Sequence, residues 1–198
     1  LARMADTLNE RMVRADEPFE IRVSAEQVNA WLGAREDMWP LSREWLPEGV
    51  SDPFVVIDEQ GIRLAATVRQ GAIQTVLSVR LAVAADEESV RVRLLEVNSG
   101  SLPVPRVWVE SQLVKFQQHT ADWLASLDDP AAYKDLQIGE LYEGVSFANR
   151  GVWRQADVSP RPFRVIGLQL EGGALVITVR PWVQRTRSGG SYFNRDSR

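Results

Sequence analysis

Few of the residue types that carry catalysis are present in this chain. Its 198 residues include one histidine, His119, and no cysteine. The lack of cysteine excludes a disulfide framework, a thiolate metal site and a cysteine nucleophile together. His119 lies inside a predicted helix, and no serine motif that would form a nucleophile elbow accompanies it. A Ser-His-Asp site is arithmetically possible, but we interpret His119 as an ordinary surface or boundary histidine.

Acidic residues occur as four adjacent pairs, each in or beside a predicted turn or helix end. Catalysis by two carboxyl groups requires surroundings that separate their pKa values, usually through burial, and none of the pairs has an apolar setting in the sequence. The spacings of a metal site and of a phosphate-binding loop are also absent from the sequence. We therefore expect a protein that is not an enzyme and has no metal or cofactor. The pairs are Glu36/Asp37, Asp58/Glu59, Glu87/Glu88 and Asp128/Asp129.

The composition excludes two further classes. A net charge of −4, from 23 basic and 27 acidic residues, gives no basic footprint for nucleic acid. No apolar run approaches the roughly 20 residues that a membrane-spanning helix needs. A hydrophobic content of 44% is ordinary for a globular protein.

The elements that would position a site begin with two helices and a strand. Apolar residues at three- and four-residue steps predict a helix over residues 1–15, and alternation predicts a strand over 19–23. Ser24 and Gln27 have the spacing of a capping box, which predicts that a second helix begins there. Val28, Trp31 and Leu32 give this helix one apolar face.

A meander of antiparallel strands is predicted next. The first of four segments is an apolar run, and the other three are apolar on one face and polar on the other, with turns between them, as expected for a sheet with one solvated face. The segments are 54–57, 62–68, 77–83 and 90–94.

A long amphipathic helix is predicted to follow the meander. The segment Gly100–Pro105 should stop the sheet, and an apolar stripe that includes Val109, Leu113 and Phe116 predicts a helix over residues 106–127. Residues 131–162 are predicted to be irregular apart from a short helix at 131–136. Strands at 163–170 and 175–180, joined by Gly172-Gly173, complete the pattern.

Together these elements predict an α+β fold in which a curved antiparallel sheet wraps around one long amphipathic helix. We assign residues 1–17 to an N-terminal helix that would lead from a missing anchor. Residues 18–183 form a single domain, and residues 184–198 form a flexible basic tail.

Three of the seven tryptophans lie close together in the sequence. Trp31, Trp39 and Trp45 occur within a segment that also carries several charged residues. One interpretation is a corner of the core. The other is an amphipathic rim or lid, since indole rings suit a boundary between apolar and wet surroundings.

Two segments resemble a known group of proteins. Val23–Leu32, with its strand-then-helix sequence, and Gly100–Pro105 resemble bacterial membrane-anchored proteins of unknown function that are similar to the tubular lipid-binding superfamily. The resemblance covers residues 18–127. It implies an apolar groove between a long helix and a curved sheet, an N-terminal anchor, a place on the extracytoplasmic side of the cell envelope, and no catalytic residues. The segments 36–48 and 131–162 and the lack of an anchor depart from the group.

We therefore expect non-enzymatic binding of a lipid or other apolar small molecule, in a protein associated with a membrane. The alternative is a structural or scaffolding subunit of a larger membrane assembly, with the same fold and a filled core. The expected partners are the apolar ligand and a membrane surface or protein assembly. The residues expected at the groove or its rim are Val28, Trp31, Leu32, Trp39, Trp45, Leu64, Val79, Leu81, Leu113 and Phe116.

Overall fold

The computed structural model of the chain describes residues 17–38, 46, 48–114, 140–149, 151–155 and 158–181. The predicted helices at 1–15 and 131–136, the rest of the long helix after residue 114, and the tail lie outside this range, as do Trp39, Trp45, Phe116 and His119. The described elements are β1 (Phe19–Ser24), α1 (Ala25–Met38), β2 (Val50–Asp58), β3 (Gly61–Gln70), β4 (Ile73–Ala85), β5 (Ser89–Ser99), β6 (Leu102–Pro103), α2 (106–114), β7 (Val145–Ala148), β8 (Gly151–Gln155), β9 (Val158–Glu171) and β10 (Ala174–Pro181).

The strands form two antiparallel sheets. In the larger sheet the order is β2-β3-β4-β5-β6, and β7 also pairs with β5. In the smaller sheet the order is β1-β10-β9-β8. The predicted α+β class is confirmed, since the described residues form mainly antiparallel sheet with two helices. The predicted meander is also confirmed as β2 to β5.

Two predictions about irregular structure were wrong. Residues 131–162 were expected to be irregular apart from one short helix, but they contain β7, β8 and the start of β9. The glycines and prolines of this segment suggested breaks, whereas Pro162 is accommodated within β9 opposite Val152. The Gly100–Pro105 segment does not end the sheet directly either. After the turn at Gly100, where φ is 60°, Leu102 and Pro103 pair back onto β5 as β6.

The capping box at the start of α1 is confirmed. The Gln27 backbone N–H donates to the Ser24 side-chain oxygen at 3.1 Å, and the Ser24 N–H donates to Gln27 Oε1 at 2.9 Å. These reciprocal bonds satisfy donors that a helix end would otherwise leave unpaired. The cap fixes where α1 begins, directly after β1.

Asn29 attaches α1 to the edge strand β2. Its Oδ1 accepts the Val55 backbone N–H at 2.7 Å, and its Nδ2 donates to the Val55 carbonyl at 2.8 Å. The amide thus takes the place of a neighbouring strand at that residue. Closer to the start of β2, the register shifts between Ser51 and Phe54, where Asp52 has a φ of 51°. Such a bulge and the α1 contact both protect an edge from unwanted pairing.

The best-buried cluster lies between α2 and the larger sheet. Leu94 and Val97 on β5 are buried with Val109 on α2, and Leu81 and Leu113 pack against them. Leu113, which belongs to the predicted apolar stripe of the long helix, thus packs against the larger sheet. Leu94 is only 3% exposed.

Asn149 joins the two sheets between β7 and β8. It is buried, its Nδ2 donates to the carbonyls of Asp86 and Val165, and its Oδ1 accepts the Val165 N–H at 2.7 Å. Asp86 follows β4 and Val165 lies in β9, so one side chain ties the larger sheet to the smaller one.

Candidate functional site

An uncharged hollow of about 450 Å³ lies between α1 and the larger sheet. Its size falls within the range of ordinary ligand pockets, roughly 300–1,000 Å³. All twelve residues that line it are apolar. They are Val28, Leu32, Val50, Pro53, Phe54, Val55, Leu64, Ala65, Ala66, Val68, Leu77 and Val79.

Sequence periodicity explains how these side chains come together. Val28 and Leu32 are four residues apart and therefore lie on the same face of α1. Successive side chains of a strand alternate between the two faces of its sheet. In the antiparallel register Leu64 lies opposite both Val55 and Val79, so these three side chains share the face that α1 approaches.

A second hollow, of about 440 Å³, continues along the same face. Val68 and Leu77 line both hollows, so the two join along β3 and β4. We call the first the α1 hollow, the second the α2 hollow, and the pair the apolar groove. The α2 hollow also has polar side chains: the Thr75 and Ser99 hydroxyls lie 3.0 Å apart, opposite Val68 and Leu77 in the sheet register. Its lining residues are Val68, Gln70, Thr75, Leu77, Ser99, Val104, Pro105 and Trp108.

The structure brings together some of the residues predicted for the site. Val28, Leu32, Leu64 and Val79 line the α1 hollow. Trp31 is half-buried on α1 and is not one of the residues that line this hollow, so its place at the groove or its rim stays a prediction.

Leu81 and Leu113 pack against the cluster formed by Leu94, Val97 and Val109, as Val79 also does. Neither is among the residues that line the two hollows, so their assignment to the groove or its rim stays a prediction. Trp39, Trp45 and Phe116 lie outside the described residues.

Several groove residues were missed. The contribution of β2 could not be read from its alternation, because Phe54 is exposed and faces the side opposite to Val55, yet both line the hollow. Trp108 was included only in the long helix. One feature of the sequence indicates that Trp108 is exposed: Val107 and Trp108 are adjacent apolar residues outside the predicted apolar stripe of the long helix.

The opposite face of the larger sheet carries a charged network. Arg80 is 8% exposed, and its Nε donates to Glu96 Oε1 at 3.1 Å. Its Nη1 donates to Asp58 Oδ1 at 3.0 Å and to Gln60 Oε1 at 2.7 Å. Arg63, directly opposite on β3, donates to the same Glu96 oxygen at 2.9 Å. The network is a structural clamp, since its carboxylates are bound by guanidinium groups.

The other acidic pairs within the described residues also lie at turns and ends, as predicted. Glu36 and Asp37 belong to the last turn of α1, and Glu87 and Glu88 follow β4. In that second turn Asp86 Oδ1 accepts the backbone N–H groups of Glu88 and Ser89. These two hydrogen bonds, that from Ser89 first, hold the pKa of Asp86 below its usual value.

Arg106 fixes the first turn of α2. Its Nε and Nη2 donate to carboxylates of Glu110 and Glu143, each at 2.6 Å, and these bonds raise the pKa of the guanidinium. The guanidinium also lies 4.7 Å from the centre of the Tyr142 ring. Partial burial raises the pKa of Tyr142. Arg106 is therefore held by the protein's own groups, and it anchors the helix next to the α2 hollow.

Comparison with known proteins finds no matching family model, no matching curated protein and no matching solved structure. Of the helices within the described residues, none combines the length and the apolar character needed to cross a membrane. In that same part of the chain, no group of three or more His, Cys, Asp or Glu residues could hold a metal ion.

Proposed function

We propose that the protein binds a lipid or another elongated apolar molecule in the apolar groove, without catalysing a reaction. The observation that carries this proposal is the exposure of the Leu64 side chain. It lies on a central strand of the larger sheet, within an all-apolar lining, and is nevertheless 39% exposed. A leucine at that position gains free energy when an apolar ligand covers it.

Burial alone supplies the binding free energy for such a ligand. Each buried methylene contributes ~0.8 kcal/mol, so about ten of them give ~8 kcal/mol before the costs of ordering the chain are subtracted. No charged group is needed in the lining, which agrees with the absence of charge from the α1 hollow.

The two ends of the groove differ, and the difference orients the ligand. The α1 hollow is apolar throughout, whereas Gln70, Thr75 and Ser99 bring amide and hydroxyl groups to the α2 hollow. Polar groups in a mostly apolar site are what fix the orientation of a ligand. We infer an amphiphile whose apolar chain lies in the α1 hollow and whose polar end faces Thr75 and Ser99.

The proposal extends to the long helix, to the curvature of the larger sheet and to the place of the protein in the cell. We propose that α2 continues as the long amphipathic helix, that the sheet curves around it, and that the protein works at the extracytoplasmic side of a membrane. The resemblance of Val23–Leu32 and Gly100–Pro105 supports this, and so does the bulge between Arg80 and Leu81, because bulges bend strands. If Phe116 lies on that helix and faces the sheet, Phe116→Ala lowers the free energy of unfolding by ~3–5 kcal/mol. A loss below ~1 kcal/mol in denaturant unfolding would contradict the arrangement.

The function is tested with Leu64→Asp and a matched control, Val56→Asp. Val56 is 38% exposed but lies on the opposite face, across from Arg63. The wild-type protein and Val56→Asp, purified gently and examined by native mass spectrometry, should carry bound lipid. Leu64→Asp should carry none, because a carboxylate in an apolar lining must be desolvated.

Two results would contradict the proposal. One is equal lipid occupancy in Leu64→Asp and in the wild type, which would place the ligand elsewhere. The other is a wild-type protein that carries no lipid and takes none up from added fatty acid. If that protein instead co-purifies with a defined protein partner, the scaffolding alternative replaces lipid binding.

A further inference from the structure

Four exposed apolar residues lie on the hairpin, the turn and the helix that contribute to the α2 hollow, and one of them, Trp108, lines it. Ile73, next to the turn of the β3–β4 hairpin, is 71% exposed, and Leu102, at the turn that leads into β6, is 70% exposed. Val107 and Trp108, in the first turn of α2, are exposed as well. We call these four residues the apolar tip.

Backbone contacts hold the parts of the tip together. The Gly100 N–H donates to the Val76 carbonyl at 2.7 Å, which joins the β5–β6 turn to the flank of the hairpin. The Trp108 N–H donates to the Pro105 carbonyl at 3.0 Å, so α2 begins directly after β6. Because Leu77 pairs with Ser99 while Ile73 lies four residues nearer the turn, the hairpin extends roughly 13 Å beyond the end of β5. The hairpin end that carries Ile73 thus protrudes, whereas Trp108 lines the α2 hollow.

We infer that the apolar tip inserts into the surface of a lipid bilayer. The inference rests on the proposed function, because Trp108 belongs to the tip and also lines the α2 hollow, into which a lipid would pass. A bilayer suits the tip better than a protein partner does. The segments 70–79 and 97–105, which carry Ile73 and Leu102, contain no charged residue. The guanidinium of Arg106, which precedes Val107, is bound by Glu110 and Glu143.

The residues around the tip also match a bilayer interface. An exposed Trp108 beside the apolar side chains suits the headgroup region, where indole rings are favoured. Arg69, exposed at the end of β3, donates to the neutral Gln74 at 3.3 Å and keeps its positive charge close to the hairpin turn. It complements anionic headgroups. Apolar surface of this kind enters roughly 5–10 Å into the boundary between headgroups and acyl chains.

The test uses phosphatidylcholine vesicles with a minor fraction of phosphatidylglycerol. The variant Ile73→Asp/Leu102→Asp removes two apolar side chains from the tip, and Val56→Asp is the control away from it. The wild type and the control should float with the vesicles. The double variant should bind them about tenfold more weakly or worse, since each substitution loses an apolar transfer and adds a charge.

A labelling experiment keeps the inference testable if the double variant folds poorly. The chain has no cysteine, so Leu102→Cys can be labelled at one position with an environment-sensitive dye. Its emission should shift to the blue when vesicles are added, while the same dye on Val56→Cys should not respond. Equal responses at both positions, or no response at Leu102→Cys, would overturn the inference.

Binding of monomeric cis-parinaric acid, measured without vesicles, separates this inference from the proposed function. Normal fatty-acid binding with lost vesicle binding in the double variant supports the tip as the membrane contact. Normal fatty-acid binding in a wild-type protein that ignores vesicles overturns the tip and leaves the groove standing. If that protein dimerises in sedimentation velocity and the double variant is monomeric, the tip contacts a second copy of the chain instead.

Discussion

The two faces of the larger sheet invert the usual relation between polarity and exposure. On the groove face Leu64 is 39% exposed, whereas on the opposite face Arg80 is 8% exposed. These residues lie on neighbouring strands, so the contrast is local. The arginine is buried because Asp58, Gln60 and Glu96 accept its hydrogen bonds. The leucine is exposed because α1 and α2 contact the two sides of its face and leave the middle open.

The difference separates the part of the sheet that stabilises the fold from the part that is available to a ligand. On the Arg80 face the buried guanidinium of Arg80 is bound by Asp58, Gln60 and Glu96 of the protein itself. Apolar groups on the groove face still lose free energy to water. Substitutions on the two faces, or in the open and covered parts of one face, should therefore differ in their effects on stability and on ligand binding.

The largest effect is expected where the groove face is covered by α2. Leu94→Ala should lower the free energy of unfolding by ~3 kcal/mol, because it leaves a cavity in the best-buried cluster. Leu64→Ala, the same chemical change in the open part of that face, should cost less than ~1 kcal/mol. Urea unfolding of both variants without ligand measures the two values. An equal loss of unfolding free energy in the two variants would mean that Leu64 is packed as well as Leu94 and that the groove is filled.

A smaller effect is expected on the charged face. Arg80→Met should cost ~2 kcal/mol, because it leaves Glu96 and Asp58 without their buried partner, although both carboxylates retain some contact with water. Arg63→Met removes an ion pair with Glu96 that is more exposed than that of Arg80, and it should cost ~0.5 kcal/mol. Neither variant should change fatty-acid binding. Weaker binding in Arg80→Met would show that the two faces are coupled.

The smallest effect concerns the turn after β4. The pKa of Asp86 is lowered by backbone hydrogen bonds from Ser89 and Glu88. A carboxylate with a lowered pKa stabilises the fold above its unfolded value, near 3.9, and this contribution is lost as the pH falls through the folded value. The stability difference between the wild type and Asp86→Asn should therefore shrink below about pH 4. Carboxyl NMR titration checks the direction, and a pKa above the ordinary value for Asp86 would be contrary to it.

Local patterns were sufficient for much of the fold. The Ser24/Gln27 spacing located the start of α1, and the alternation of 62–68 and 77–83 identified which side chains share a face. Both depend on residues close together in sequence. Leu64 and Val79, which these patterns assigned to a groove, line the α1 hollow.

The errors arose where distant segments decide the outcome. Alternation puts Leu81 on the same face as Val79. The alternation does not show that α2 packs over the cluster next to Leu81 and leaves the α1 hollow open. Trp31 shares the predicted face of α1, yet the hollow is lined from that helix by Val28 and Leu32. The strands at 145–155 depend on partners in β5 and β9, and the tie made by Asn149 links residues far apart in the chain.

The central claim, an open apolar groove that binds a ligand, is tested most directly by filling it. Ala66 lines the α1 hollow and lies opposite Leu77, whereas Ala84 is exposed on the other face of the same sheet. Titration with monomeric cis-parinaric acid is carried out on Ala66→Trp and on the control Ala84→Trp. The account predicts that Ala66→Trp folds with little loss of stability and loses binding, while Ala84→Trp binds as the wild type does. Undiminished binding by Ala66→Trp would show that the ligand does not bind in the groove. A loss of unfolding free energy of ~1–3 kcal/mol in Ala66→Trp would show that the groove is a filled core, since overpacking a filled core has that effect.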